Sequence, residues 1–334
     1  MNIGIIGLGS IAQKMAETIN QMEDVTLYGV AARDINKAVN FSKRFGAKKA
    51  YGSYEALTQD DAIDLVYVAT PHSYHYEHAK LCIEHGRPVL VEKAFTVNQK
   101  EAEELIALAL ERNVFLCEAM WVRFMPMAER LQELLKEDLI GEIVSVTANL
   151  GYELTGKERL VEPVLAGGAL LDVGIYTLTF ATMVLGYDID YLSTSVVRLD
   201  SGVDAQESLA LTYSTGAIAN LYATMLSNTN RRGAIYGTKG YIEVDNINNF
   251  EAFRVYDAHY NCIKEIECEP QITGYEYEVL ACKEAIEAGR LECEQMPHAL
   301  TIRMMQIMDA IRRQWGLSYP GEELHDTGYY HSYS

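Results

Sequence analysis

The sequence predicts an α/β fold followed by an α+β fold. A doubly wound parallel sheet opens the chain, and a mostly antiparallel sheet with one open face follows it. Three observations carry this prediction. Over roughly the first 120 residues, short apolar runs alternate with amphipathic stretches, as in strand–helix–strand units. A glycine-rich turn joins the first apolar run to the first amphipathic stretch. Past Trp121, extended runs follow one another across short turns, as antiparallel strands do. The 334 residues suit two domains at roughly 100–200 residues each, and the expected division is 1–120 and 121–334.

The elements follow in order. The first part has strands at 2–7, 25–32, 64–70, 88–92 and 114–118. Helices at 10–22, 35–45, 74–85 and 98–112 separate them, and Pro71 bounds the third strand. The second part opens with a helix near 125–137, then a strand at 142–152 with period-two alternation, then helical residues near 169–186. Extended runs follow at 192–199, 206–214, 217–225, 233–237, 240–245, 252–257 and 260–268. Turn signals such as Ser214-Thr215-Gly216 and Thr238-Lys239-Gly240 separate most of them. Helices near 274–289 and 298–315 close the fold, and 326–334 is expected to be a loosely docked end.

The glycine turn is the most informative stretch. Residues 3–12 read Ile-Gly-Ile-Ile-Gly-Leu-Gly-Ser-Ile-Ala. Gly7 permits the tight turn, Gly9 lets the backbone approach a pyrophosphate, and Ala12 lets helix and strand pack closely. The helix starting at Ser10 and Ile11 then offers unpaired N–H groups at its positive end. This is the fingerprint of a Rossmann dinucleotide-binding unit. An acidic residue at the end of the second strand would take the ribose of NAD. Here Ala32 holds that place and Arg33 follows, so the expected coenzyme is NADP, gripped at its 2′-phosphate by Arg33. A one-residue change of register would bring Asp34 into play and restore NAD.

Composition narrows the partners. Asp+Glu number 47 against 28 Lys+Arg, a net charge of −19. Such a surface repels nucleic acid and anionic lipid, so neither is an expected partner. No run of about 18 apolar residues is evident, and the apolar start serves as the first strand rather than a leader. The six cysteines form no C-x-x-C pair and read as reduced thiols of a cytoplasmic protein. His72, His75 and His78 recur every three residues without acidic or cysteine ligands at a familiar spacing. No metal is expected there.

Two places suggest chemistry. Glu92-Lys93 ends a parallel strand, where open α/β sheets bind ligands. Asp172 and Tyr176 stand one helical turn apart and share a face. A tyrosine with an ordinary pKa near 10 is a poor base at pH 7, but a nearby ammonium stabilises its phenolate. A lysine and a tyrosine together therefore make a proton relay for alcohol oxidation, with a carboxylate to align them. Trp121 offers a flat wall to a ring-shaped substrate.

With these residues the chain resembles the Gfo/Idh/MocA oxidoreductase family. The resemblance rests on the glycine turn, on Thr70-Pro71-His72 with His75, and on Glu92-Lys93-Ala94. The stretches 118–124 and 167–176, Met296-Pro297-His298 and Gln314-Trp315-Gly316 are similar to its branch of dimeric dihydrodiol dehydrogenases and NADP-dependent xylose dehydrogenases. The likeness runs from end to end. It implies that Lys93 and Tyr176 are catalytic and Asp172 supports them. It implies that Trp121 and Arg123 lie near the nicotinamide, that Arg33 goes with NADP, and that the protein is a homodimer joined through its C-terminal sheet. The implied activity is hydride transfer between nicotinamide and a secondary alcohol of a sugar, cyclic polyol or trans-dihydrodiol. A regulatory nucleotide sensor and an NAD-dependent glycosidase are the alternatives. Two positions depart from the family pattern: Ala94 replaces a proline, and His72 replaces an asparagine. A cis bond before alanine costs about 2.5–4 kcal/mol, so the exchange bears on how Lys93 is held.

Overall fold

The structure, a computed structural model, describes residues 1–322. The expected loose end at 326–334 lies outside the described residues. The chain divides into two compact units. One is Met1–Phe124 with Gln271–Met305, and the other is Met125–Pro270 with residues 306–322.

The first unit alternates as expected. In order it contains β1 (Asn2–Ile6), α1 (Ser10–Ile19), β2 (Thr26–Ala31), α2 (Ile35–Phe45), β3 (Lys49–Tyr51) and α3 (Tyr54–Thr58). Then come β4 (Leu65–Val68), α4 (His75–Glu84), β5 (Val89–Glu92), α5 (Gln99–Arg112) and β6 (Leu116–Ala119). The strands pair in parallel in the order β3-β2-β1-β4-β5-β6. This is the doubly wound order whose direction reverses between β1 and β4. The central strands are buried on both faces, from Ile3, Ile5 and Ile6 to Leu65, Val66 and Val68, which is why they read as unbroken apolar runs. The sequence pattern missed β3 and α3. A strand of three residues and a helix of five are too short to show a period.

The second unit contains α6 (Pro126–Lys136), β7 (Ile143–Gly151), α7 (Glu158–Val161) and a π-helical turn at Leu170–Gly174 that runs into α8 (Ile175–Leu185). It continues with β8 (Ile189–Arg198), β9 (Asp204–Tyr213), β10 (Ile218–Thr224) and β11 (Gly233–Gly237). The strands β12 (Gly240–Asp245), β13 (Ala252–Asp257) and β14 (Cys262–Glu267) complete it. These strands form one sheet in the order β14-β13-β12-β11-β7-β10-β9-β8. It is antiparallel except where β7 and β10 run parallel. One face buries Val146, Leu209, Leu221 and Ile235, and α8 packs on β7 and β10. The other face carries Tyr191, Val197, Ile218 and Tyr236, all exposed.

Two expectations need correction. The stretch Pro163–Leu185 is apolar enough over 23 residues to cross a membrane by length and composition, although no such run was expected. In the fold, 89% of its most apolar window is buried, because α8 forms the core beneath the sheet. The division at residue 120 also omits a return of the chain. Helix α9 (Glu276–Glu287) and the start of α10 (His298–Trp315) belong to the first unit. They are held there by long-range bonds. The Leu116 amide donates to the Leu291 carbonyl at 3.0 Å, and Thr18 and Thr273 share a hydroxyl bond of 2.6 Å.

Candidate active site

The carboxyl edge of the parallel sheet assembles most of the candidate residues. Gly7 turns with φ +86, and a Cβ there would lie 2.7 Å from Thr70 Cγ2 and 2.8 Å from the Ala69 carbonyl. Only glycine fits this close approach of the first turn to the end of β4. Gly9 caps α1 with extended backbone, and a Cβ there would meet nothing within 4 Å. The first turn of α1 carries neither a capping side chain nor an acidic residue. Ser10 is exposed, Ile11 half-buried and Ala12 fully buried against the sheet. Open backbone at the positive end of a helix fits a pyrophosphate, so these residues suit a dinucleotide.

At the end of β2, Asp34 caps α2. Its carboxylate accepts the Asn36 amide at 2.9 Å. Arg33 is exposed, and its charge bears on Tyr54 and His78. His78 stands between Tyr54 (edge-on, 4.5 Å) and Tyr74 (stacked, 5.7 Å), with Nδ1 3.0 Å from Thr70 Oγ1. Burial, with help from Arg33, lowers its pKa to about 4.

Thr70 and Pro71 are half-buried and lead into a 3-10 turn at His72–Tyr74. His72 is buried and meets His75 edge-to-face at 5.6 Å. His75 has its ring nitrogens 2.8 Å from the carbonyls of Ala94 and Thr70. Burial pulls its pKa down to about 4, so the ring is neutral at pH 7 and its single N–H serves one carbonyl at a time. His75 therefore clasps the turn after β4 to the turn after β5. Its bond to the Ala94 carbonyl lies one residue beyond Lys93. His75 and His78 share Thr70, the first at its carbonyl and the second at its hydroxyl.

Glu92 ends β5 and accepts the phenol proton of the fully buried Tyr67. Lys93 follows, half-buried, and the Lys93–Ala94 peptide is cis. Beneath it Glu118 accepts the Phe95 amide at 3.2 Å and the Thr301 hydroxyl at 2.9 Å. Burial raises the Glu118 pKa from 4.5 to about 7. Trp121 stacks on Tyr275 at 4.2 Å and 5°, so one face of the proposed flat wall is already covered. Arg123 donates from Nε to the Gln295 carbonyl at 2.9 Å.

Glu118 gives a test of this packing. Its folded pKa lies above its unfolded value, so its contribution to stability is full below pH 4.5 and lost as pH rises through about 7. The loss is on the order of 3 kcal/mol. His75 slopes the opposite way, since its folded pKa of about 4 lies below the ordinary 6.5. Glu118→Gln isolates the first effect. Urea unfolding across pH 4.5–7 is expected to show the variant losing less stability than the parent, and parallel curves contradict the assignment.

The second unit holds the other pair. Asp172 lies in the π-helical turn and Tyr176 at the second position of α8, both buried. Arg159 pairs with Asp172 at 3.1 Å. Two buried acids, missed in the sequence, support this turn. Asp204 accepts the Leu170 amide at 2.6 Å, and Glu207 lies so close to Gly174 that a Cβ there would sit 2.2 Å from its Oε1. Their signal was the glycines at 168 and 174, which mark close approach but not what approaches. Near the chain's end, the Tyr319 hydroxyl donates to the Gly167 carbonyl at 3.0 Å. Gln314 and Trp315 donate to the Leu192 carbonyl and the Thr194 hydroxyl.

Comparison with known proteins places the fold in a family. Residues 1–119 match the model of an oxidoreductase family with an NAD-binding Rossmann fold, and 128–243 match the GFO/IDH/MocA C-terminal domain. Trans-1,2-dihydrobenzene-1,2-diol dehydrogenase of Xenopus tropicalis is 34% identical over 329 residues, covering 95% of this chain and 98% of that protein. The Danio rerio enzyme of the same name is 34% identical over 331 residues, covering 95% and 97%. A 3-ketoreductase from Actinomadura kijaniata, solved with NADP and TDP-benzene, superposes with a TM-score of 0.86 at 23% identity, covering 94% of this chain and 97% of its own. An aldose–aldose oxidoreductase from Caulobacter crescentus, solved with glycerol, gives 0.84 at 22% identity, covering 95% and 98%. The chain is thus a member of the Gfo/Idh/MocA family of oxidoreductases, built on an NAD-binding Rossmann domain.

Proposed function

We propose that this protein is an NADP-dependent dehydrogenase acting on a secondary alcohol of a sugar, cyclic polyol or trans-dihydrodiol. The observation that carries this reading is the glycine turn pressed against β4 at the reversal of strand order, with Lys93 at the end of the next strand. Relatives 34% identical are named as dihydrodiol dehydrogenases, and structural neighbours were solved with NADP. The preference for NADP is supported by the end of β2. The Asp34 carboxylate is engaged in capping α2, and Arg33 is the exposed charge beside it.

The residues divide the work. Gly7 and Gly9 admit the pyrophosphate, and the N–H groups at Ser10, Ile11 and Ala12 bind it. Arg33 takes the 2′-phosphate. Thr70, Pro71 and His72 shape the adjoining turn, while His75 and Glu92 hold Lys93 in place. Trp121 and Arg123 bound the nicotinamide end. Bound in this way, the coenzyme supplies the hydride acceptor for alcohol oxidation and the donor for the reverse. Tyr176 takes the hydroxyl proton, Lys93 supplies the positive charge that stabilises the phenolate, and Asp172 orients the tyrosine.

The test is a panel of aldoses, inositols and cyclic trans-diols, followed at the NADPH absorbance band with NADP and NAD in parallel. Turnover of at least one member with NADP preferred is expected. No turnover with either coenzyme would overturn the reading.

The open face of the eight-stranded sheet supports self-association as a homodimer. Tyr191, Val197, Ile218 and Tyr236 are exposed apolar side chains on one side of it, and such a face pairs readily with a copy of itself. Light scattering at micromolar protein is expected to give twice the chain mass, and a monomer mass would reject the dimer.

A further inference from the structure

Three cysteines distant in sequence converge inside the first unit. Cys117 lies in β6, Cys282 in α9, and Cys293 in the segment between α9 and α10. Their sulfur atoms all lie within 4.8 Å of one another, and those of Cys282 and Cys293 are 4.0 Å apart. All three are at most 1% exposed. Thiolates bonded to one ion at about 2.3 Å each stand about 4 Å apart in a trigonal set and slightly closer in a tetrahedral one. The Cys282–Cys293 pair therefore already has the spacing of thiolates on a shared ion, and the Cys117 sulfur lies within 4.8 Å of both.

A second observation separates this cluster from ordinary buried thiols. Glu278 lies one turn before Cys282 on the same face of α9, fully buried. Neither of its carboxylate oxygens has a hydrogen-bond partner, and its charge bears on Cys293 and on Glu92. Apolar packing explains buried thiols. It does not explain a buried carboxyl group that acts on Cys293 and has no donor, since buried polar groups are nearly always satisfied.

We propose that Cys117, Cys282 and Cys293 form a structural site for a thiophilic d10 cation, Cu(I) or Zn(II), bound through their three thiolates. Soft thiolates select such ions, three sulfurs suffice for Cu(I), and Zn(II) takes a fourth ligand. The ion would join three segments that hold the candidate active site. Cys117 precedes Glu118, which anchors Phe95. Helix α9 begins beside Tyr275, which stacks on Trp121. Cys293 lies two residues before Gln295, which receives Arg123. Binding proceeds by ligand exchange, with each thiol proton released to solvent as its sulfur bonds the ion.

The test uses the full chain with Cys262→Ser and Cys268→Ser, since those cysteines are the exposed and half-exposed ones. The reduced, chelator-stripped protein is titrated under argon with Zn(II), and separately with Cu(I), each against a coloured chelator. One equivalent per chain held against the chelator, proton release on binding and a raised melting temperature are expected. X-ray absorption of the loaded protein should show three sulfur neighbours, a readout that needs no further variant. Adding Cys282→Ala or Cys293→Ala should weaken binding by roughly 10²-fold or more. Failure to hold either ion against the chelator would overturn the site. So would fewer than three sulfur neighbours, or equal affinity in the cysteine variants.

Discussion

Tyr176→Phe is expected to lower the rate of alcohol oxidation by about 10²–10⁴-fold, the usual contribution of a positioned acid–base group. NADPH affinity should stay near the parental value. The phenol oxygen is the only atom removed, and the glycine turn, α1 and Arg33 all lie in the first unit, whereas Tyr176 lies in the second. The ring itself remains buried and keeps α8 packed. A rate defect without a folding or binding defect is therefore the diagnostic pattern. Steady-state kinetics with a fluorescence titration of NADPH separates the two. Turnover equal to that of the parent protein would remove Tyr176 from the reaction.

Lys93→Met tests the other half of the proposed relay and should cost roughly 10²-fold or more in kcat/KM. It should also move the pH profile. An ammonium near a phenol favours the ionised form, so removing it raises the pH at which the base becomes active. The limb of kcat/KM at lower pH is thus expected to shift upward in Lys93→Met and to return in part in Lys93→Arg, which keeps the charge. A profile that falls in height without shifting would assign Lys93 to binding alone. The surrounding structure makes this variant readable, because His75 grips the Ala94 carbonyl and Glu118 the Phe95 amide independently of the lysine side chain.

Much of this was legible in the chain itself. The central strands of the first sheet are buried on both faces, so their apolar runs identify them without ambiguity. The turn at Gly7 was legible because the backbone conformation there excludes other residues. Arg33 against Asp34 was a question of register, and the capping bond that the Asn36 amide donates to the Asp34 carboxylate supports the proposed role of Arg33. The π-helical turn was not legible. Asp172 and Tyr176 share a face in either kind of helix, and the side-chain pattern does not report the extra residue.

The sequence by itself determined the type of each long element, the place of the dinucleotide turn and the family. These depend on local backbone preference and on which face of an element is apolar, and both are written in neighbouring residues. Only the tertiary structure decided that residues 271–305 return to the first unit, that Glu118 lies under the Lys93 turn, that Trp121 is already stacked, and that Cys117 meets Cys282 and Cys293. Periodicity says that a face is buried, but not against what. The partner is selected by packing between segments far apart in the chain, and no local pattern encodes it.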